Sequence, residues 1–207
     1  MAYDLEEQEQ LDELKAWWKA NGSMLSYGLL ALVIAYAAFQ GWNFYNNKQS
    51  LAASAAYQSL MTSDTQDLKA VQTKAADLME NYSSTPYAGR AALFVAKVNY
   101  EKNDAKSAKA QLDWAKSNAK ESAVSAAAIL QLASILNEEK DYQAALTLLD
   151  TKHDAGFDGL FLDLKGDVLA NLGKVKEAKS AYEEALTKLD ASGKYRLVTQ
   201  QKLQALG

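Results

Sequence analysis

The sequence predicts an all-α protein, with a single N-terminal transmembrane helix followed by an array of short helices in antiparallel pairs. Three observations carry that class. Between Lys19 and Lys48 there is no Asp, Glu, Lys, Arg or His, and the centre of that window reads GLLALVIAYAAF, Gly28 to Phe39. Beyond Lys48 the chain is rich in alanine, leucine and lysine and holds one proline, Pro86, a composition of helices rather than strands. Small residues then recur at a fixed spacing of 12 across three short turns.

Residues 1–20 form an acidic head. Asp4, Glu6, Glu7, Glu9, Asp12 and Glu13 face only Lys15 and Lys19, so the head accounts for the whole net charge of −4, and the rest of the 207 residues is neutral. A neutral body offers no electrostatic footprint for nucleic acid. Leu11, Leu14, Trp17 and Trp18 fall at helical spacing. Two readings stay open: a short amphipathic helix at the membrane surface or against a partner, and a frayed tail that only keeps the tryptophans at the interface.

Residues 21–45 are expected to cross the membrane, N-terminus in the cytoplasm. Met24 to Trp42 makes roughly 28 Å of helix, close to the ~30 Å of bilayer hydrocarbon. Leu29, Leu30, Leu32, Val33, Ile34 and Phe39 together favour insertion by roughly 2–3 kcal/mol. Trp17 and Trp18 before the span, and Trp42 and Tyr45 after it, suit two interfacial belts. A buried core helix would show a polar stripe, and Ser26, Tyr27, Tyr36 and Gln40 form none. Ala35-Tyr36-Ala37 has the small-x-small form of a signal cleavage site, but the acidic head is not the basic start of a signal peptide, so a retained anchor is expected. Lys15 and Lys19 precede the span and only Lys48 follows closely, which sets the orientation.

Residues 46–207 are read as one outer domain. Residues 51–82 look like another helix pair, without the repeat spacing. Thr85-Pro86 starts the first pair of the repeat, with Thr85 at the cap and Pro86 at the first helical position. Turns are expected at Glu101–Asp104, Glu138–Asp141 and Asn171–Lys174. Ala96 and Ala108, Ala133 and Ala145, and Gly166 and Ala178 straddle them, with Leu112, Leu149 and Tyr182 four residues later. Antiparallel helices approach closely only where facing side chains are small, and the large residue then fills the adjoining groove. Asp104 and Asp141 are placed to cap second helices, and Asp158 to cap the first helix of the third pair. Tyr195 to Leu206 reads as a terminal capping helix.

This pattern resembles the tetratricopeptide repeat, a 34-residue helix pair. The best match is LDLKGDVLANLGKVKEAKSAYEEAL, where Gly166, Leu169, Gly173, Ala178, Tyr182 and Ala185 take the preferred types; Lys165 stands where leucine is usual, and no proline closes a unit. The outer domain is thus expected to be a tetratricopeptide-repeat-like α-solenoid. The whole plan resembles the YfgM family: an acidic head ending in AWWKANG, one span, an aromatic exit GWNFYNN, an alanine-rich SAAYQ helix and degenerate repeats. That resemblance implies a bacterial inner-membrane protein with a periplasmic repeat domain. It also implies two partners, the SecYEG translocon and a membrane-anchored periplasmic chaperone of the peptidyl-prolyl isomerase type, PpiD.

No catalytic constellation is visible. The one histidine, His153, has Asp154 and Asp158 nearby but no oriented nucleophile, and reads as a solvated loop histidine. The absence of cysteine excludes disulfides and thiolate metal sites. Neither a cofactor nor a small-molecule substrate is expected. Repeat register places Arg90, Leu93, Lys97 and Tyr100, then Leu130, Ser134 and Asn137, then Leu160, Asp163 and Asp167 on one concave face. They form either a protein-binding groove running from basic to acidic or ordinary solvated positions. The expected function is a membrane-anchored adaptor at the export site, meeting the chaperone and emerging chains. The alternative is a scaffold or assembly factor for another envelope complex.

Overall fold

The computed structural model describes residues 2–207, with side chains described for Glu7 and from Glu9 onward. The side chains of Asp4 and Glu6, counted in the acidic head, and the amine of Met1 lie outside the described residues. All described elements are helices. Two compact units, Met1–Gln49 and Ser50–Gly207, are considered separately.

The first unit is carried by α1 (Ala2–Met61). The head forms the opening stretch of α1, which passes through Asn21-Gly22 without a break. Two local contacts account for that continuity. Asn21 turns its amide back to donate to the Trp17 carbonyl at 3.1 Å, and the Trp18 indole lies over Gly22. The helix is long and apolar enough to cross a membrane, and only 6% of its most apolar stretch is buried. That exposure decides against a soluble core helix, which would bury such residues. Trp17, Trp18, Trp42 and Tyr45 are all exposed. Gln40 donates to the Tyr36 hydroxyl one turn back, which covers part of its amide within the apolar stretch.

The second unit begins with the last turns of α1 and continues through α2 (Leu68–Asn81), α3 (Pro86–Glu101), α4 (Ala105–Asn118) and α5 (Ser122–Glu138). Then follow α6 (Tyr142–Leu149), a 3-10 turn at Ala155–Phe157, α7 (Asp158–Asn171), α8 (Val175–Lys188) and α9 (Lys194–Ala205). Successive helices pack in pairs, and α3 meets α5 as α5 meets α7. That is the arrangement of a solenoid.

The three predicted turns are one device used three times. Asn103, Lys140 and Gly173 adopt positive φ of 63°, 65° and 75°. The next amide in each case bonds back to the fifth carbonyl before it: Asp104 to Asn99, Asp141 to Leu136 and Lys174 to Leu169, at 2.9, 2.8 and 2.9 Å. This is the Schellman ending, which satisfies carbonyls at a helix C-terminus. The same residue then opens the next helix. Asp104 accepts from the Ser107 amide at 3.0 Å and Asp141 from the Ala144 amide at 3.3 Å. Lys174 has the position without a capping side chain.

The small residues fall where expected. Ala96, Ala108, Ala133, Ala145 and Ala178 are buried, as are Leu112, Leu149 and Tyr182 beside them. At Gly166 a Cβ would sit 2.4 Å from Tyr182 Cε1, so the third pair trades an alanine-leucine contact for glycine-tyrosine. A second small position lies seven residues earlier in each first helix. At Gly89 an added Cβ would strike Ala119, and at Gly159 it would strike Leu189, while Ala126 is the buried counterpart. These contacts let the start of one helix pass close to the end of another.

Two local expectations need correction. Asp158 is the first residue of α7 rather than its cap, a position held by Phe157. Asp154 caps the preceding 3-10 turn instead, accepting from the Gly156 amide at 2.9 Å. Thr85 holds the cap position of α3 and Pro86 its first turn, as expected, with the Thr85 hydroxyl donating back to the Tyr82 carbonyl. His153 is not solvated. Its ring stacks on Phe161 at 3.6 Å, Nδ1 lies 2.8 Å from the Thr151 carbonyl, and Nε2 lies 3.3 Å from Asp158. A planar ring against an aromatic face leaves little of the side chain in water, here 17%.

Candidate protein-binding face

The first helices of the pairs, α3, α5 and α7, supply every residue of the predicted face. Their helical repeat puts Lys97 and Tyr100 one turn apart on α3, and Ser134 opposite them on α5. Together they line a cleft of about 220 Å³. Its floor is apolar, made by Ala96, Leu112 and Ile135. Gln131, Glu101 and Glu138 complete the rim. Sequence reasoning missed these three, although Gln131 lies three residues before Ser134 and Glu138 lies four after it, the spacing of one helical face.

The rim is held by polar contacts between helices. The Tyr100 hydroxyl donates to the Glu138 carboxylate across the cleft. That bond, and then partial burial, push the phenol above its ordinary range. Lys97 stands 3.7 Å from Glu101 and keeps most of its side chain in water. Such an exposed pair contributes little to stability and leaves the ammonium open to exchange partners.

Arg90 lies toward the other end of α3. Its Nε and Nη2 donate to Glu121 at 2.7 and 2.6 Å, and its guanidinium lies 5.9 Å from the Tyr87 ring centre. The paired guanidinium holds the Glu121 carboxyl below the usual range. Arg90 thereby ties α3 to the start of α5. Leu93 and Leu130 are half-buried and pack against the cores of successive pairs. Asn137 accepts from Asn171 Nδ2 at 3.0 Å, which joins the ends of α5 and α7. Leu160 is half-buried.

The acidic section of the predicted face is engaged by the terminal helix. Lys202 of α9 reaches both carboxylates, Asp163 at 2.8 Å and Asp167 at 2.7 Å. Thr199 donates to Asp163 at 2.7 Å, and the Tyr182 hydroxyl donates to Asp167 at 2.7 Å. The terminal helix covers this part of α7 because two carboxylates one turn apart attract its lysine, while Leu203 and Leu206 pack on the Leu169, Ala178 and Tyr182 cluster. The structure thus brings Lys97, Tyr100 and Ser134 together, and separates them from Asp163 and Asp167, which are engaged within the fold.

The sequence matches the family described as a tetratricopeptide repeat-like domain over residues 15–207. A protein of Neisseria gonorrhoeae named ancillary SecYEG translocon subunit is 31% identical over 100% of both chains. Proteins of the same name from Haemophilus influenzae and Escherichia coli are each 29% identical. The first alignment covers 89% of this chain and 91% of the relative, the second 86% and 85%. The chain belongs to the family that these proteins represent. It is the YfgM family that the sequence plan resembles. Membership extends over α1 as well as the repeats, since the family match opens at Lys15 and takes in the apolar window.

Proposed function

We propose that this chain is a non-catalytic, single-pass accessory subunit of the SecYEG translocon in the bacterial inner membrane. The observation that carries this reading is the relationship over 100% of both chains to an ancillary SecYEG translocon subunit. The head, residues 1–20, lies in the cytoplasm; residues 21–45 span the bilayer; residues 46–207 stand in the periplasm. Lys15 and Lys19 against Lys48 support that orientation. Trp17, Trp18, Trp42 and Tyr45 hold the two interfaces.

In this reading the repeat domain captures a membrane-anchored chaperone of the PpiD type and stands close to emerging chains. The contact face is that of Arg90, Leu93, Lys97, Tyr100, Leu130, Ser134, Asn137 and Leu160, centred on the cleft between α3 and α5. An apolar floor with a mixed-charge rim suits one apolar side chain of a partner segment.

Purification in mild detergent should recover SecYEG and the chaperone with the intact chain. Photo-cross-linkers at positions 97 and 100 should label the chaperone, and those at Lys106 and Lys120, exposed on α4 and at its end, should not. Lys97→Glu with Tyr100→Ala should weaken capture without unfolding the domain. Equal labelling from both faces would remove the concave face from the proposal, and loss of SecYEG from the purified complex would remove the translocon.

A further inference from the structure

The terminal helix α9 is seated as a ligand is seated. Of its 12 residues only Thr199 is buried, and that residue is a hydroxyl bonded to Asp163. Its large apolar residues Tyr195, Leu197 and Val198 point to solvent, 63%, 61% and 45% exposed. What holds it is a cation bridging two carboxylates, a hydroxyl on one of them, the Arg196 guanidinium donating to the Leu186 carbonyl of α8, and two half-buried leucines. The other helix pairs are held by rows of fully buried alanine, leucine and valine. A helix this short is unstable alone in water, so undocking and unwinding are one event. Segments with few buried apolar contacts open most readily. The joint before it, Leu189–Gly193, also lacks the Schellman ending that locks the three turns inside pairs.

We propose that α9 is a built-in occupant of the acidic end of the concave face, displaced by a partner helix that presents a lysine to Asp163 and Asp167. This rests on the concave face being a binding face. It adds a second subsite, distinct in charge from the cleft at Lys97 and Tyr100. It also names the ligand chemistry: a short amphipathic helix with one cation and a hydroxyl three residues before it, because that is what the site already holds. Binding at this end is then a competition between the internal helix and the external one. The affinity for the external helix falls by the fraction of time that the site stands open.

The test uses the full chain in detergent and a fluorescein-labelled peptide of residues 194–205. In the unaltered chain, amide hydrogens of α9 should exchange well ahead of those of α7 and α8. The double variant Thr199→Ala, Lys202→Gln opens the contact and should bind the added peptide about tenfold more tightly than the unaltered chain. Adding Asp163→Asn and Asp167→Asn should abolish that gain, and Lys194→Gln should leave both binding and exchange unchanged. Exchange of α9 in step with α7 and α8 would overturn the proposal. So would an opened, folded variant that does not bind the peptide. If the double variant fails to fold, the exchange measurement on the unaltered chain decides alone. None of these readouts depends on cross-linking at Lys97 and Tyr100, so either proposal can fail without the other.

Discussion

At Gly166 the Tyr182 ring already occupies the place of a side chain, and the third helix pair closes on that contact. Gly166→Ala puts a methyl 2.4 Å from the ring carbon, so the ring or the helix must move. The expected cost is about 1–3 kcal/mol, the range for overpacking a tight contact. In a domain of this size that lowers the melting temperature by roughly 2–4 °C per kcal/mol. An unchanged melt of residues 48–207 would place the ring elsewhere. The 12-residue spacing behind this prediction is legible in the sequence because both partners sit on neighbouring helices joined by a tight turn. The earlier small positions, Gly89, Ala126 and Gly159, are equally regular, but their partners Ala119 and Leu189 lie 30 residues on for two of them, and nothing near the glycines names them. Distance also hid the fate of Asp163 and Asp167. Their partners Thr199 and Lys202 are 35 to 39 residues away, so the face of α7 that α9 would cover was not written locally. His153 reads as polar until Phe161 is placed beneath it.

Among the elements, the three joints inside pairs obey one geometry with different residues. Gly173 takes its φ of 75° freely, whereas Lys140 holds 65° against the clash of its Cβ with the following carbonyl. Lys140→Gly should therefore stabilise the domain, by up to about 1 kcal/mol, seen as a higher urea midpoint with unchanged slope. A lower midpoint would mean that the lysine side chain contributes more than its backbone costs. The α8–α9 contact predicts a pH dependence. Burial, and then the bond to Asp167, push the Tyr182 phenol well above its ordinary range. Burial pulls Lys202 down, but Asp163 and Asp167 outweigh it and raise the ammonium. Both groups thus titrate higher in the folded chain than in the unfolded one. Their contribution is complete below their ordinary values of about 10 and is lost as pH rises through the folded ones. The melting temperature should fall in strong alkali, and Asp167→Asn should reduce that fall. A melt equally alkali-sensitive with and without Asp167 would assign the effect elsewhere.

For the whole molecule, anchoring is the property that composition alone made plain. An uncharged window of bilayer length is readable without any fold, since lipid selects for apolarity along the entire helix rather than on one face. The chain should stay in the membrane pellet after alkaline carbonate washing, and mass spectrometry should find residues 1–37 attached. A new N-terminus at Ala38 would mean that Ala35-Tyr36-Ala37 is cut. The repeat array carries a different kind of consequence, for engineering. In the joints at Asp104 and Asp141 the residue that ends one helix also caps the next, so the chain has no slack there. One glycine inserted after Asn103 would part the closing amide from its carbonyl and unseat the Asp104 cap together. The five residues Leu189–Gly193 carry no such double duty. There a flexible insert gives up the turn that Asp190 makes with Ser192 and Gly193 and adds loop entropy, about 0.6 kcal/mol for each doubling of length. A peptide tag or small reporter grafted after Ala191 should leave the α3–α8 stack melting as before, while a single extra residue inside a pair should not.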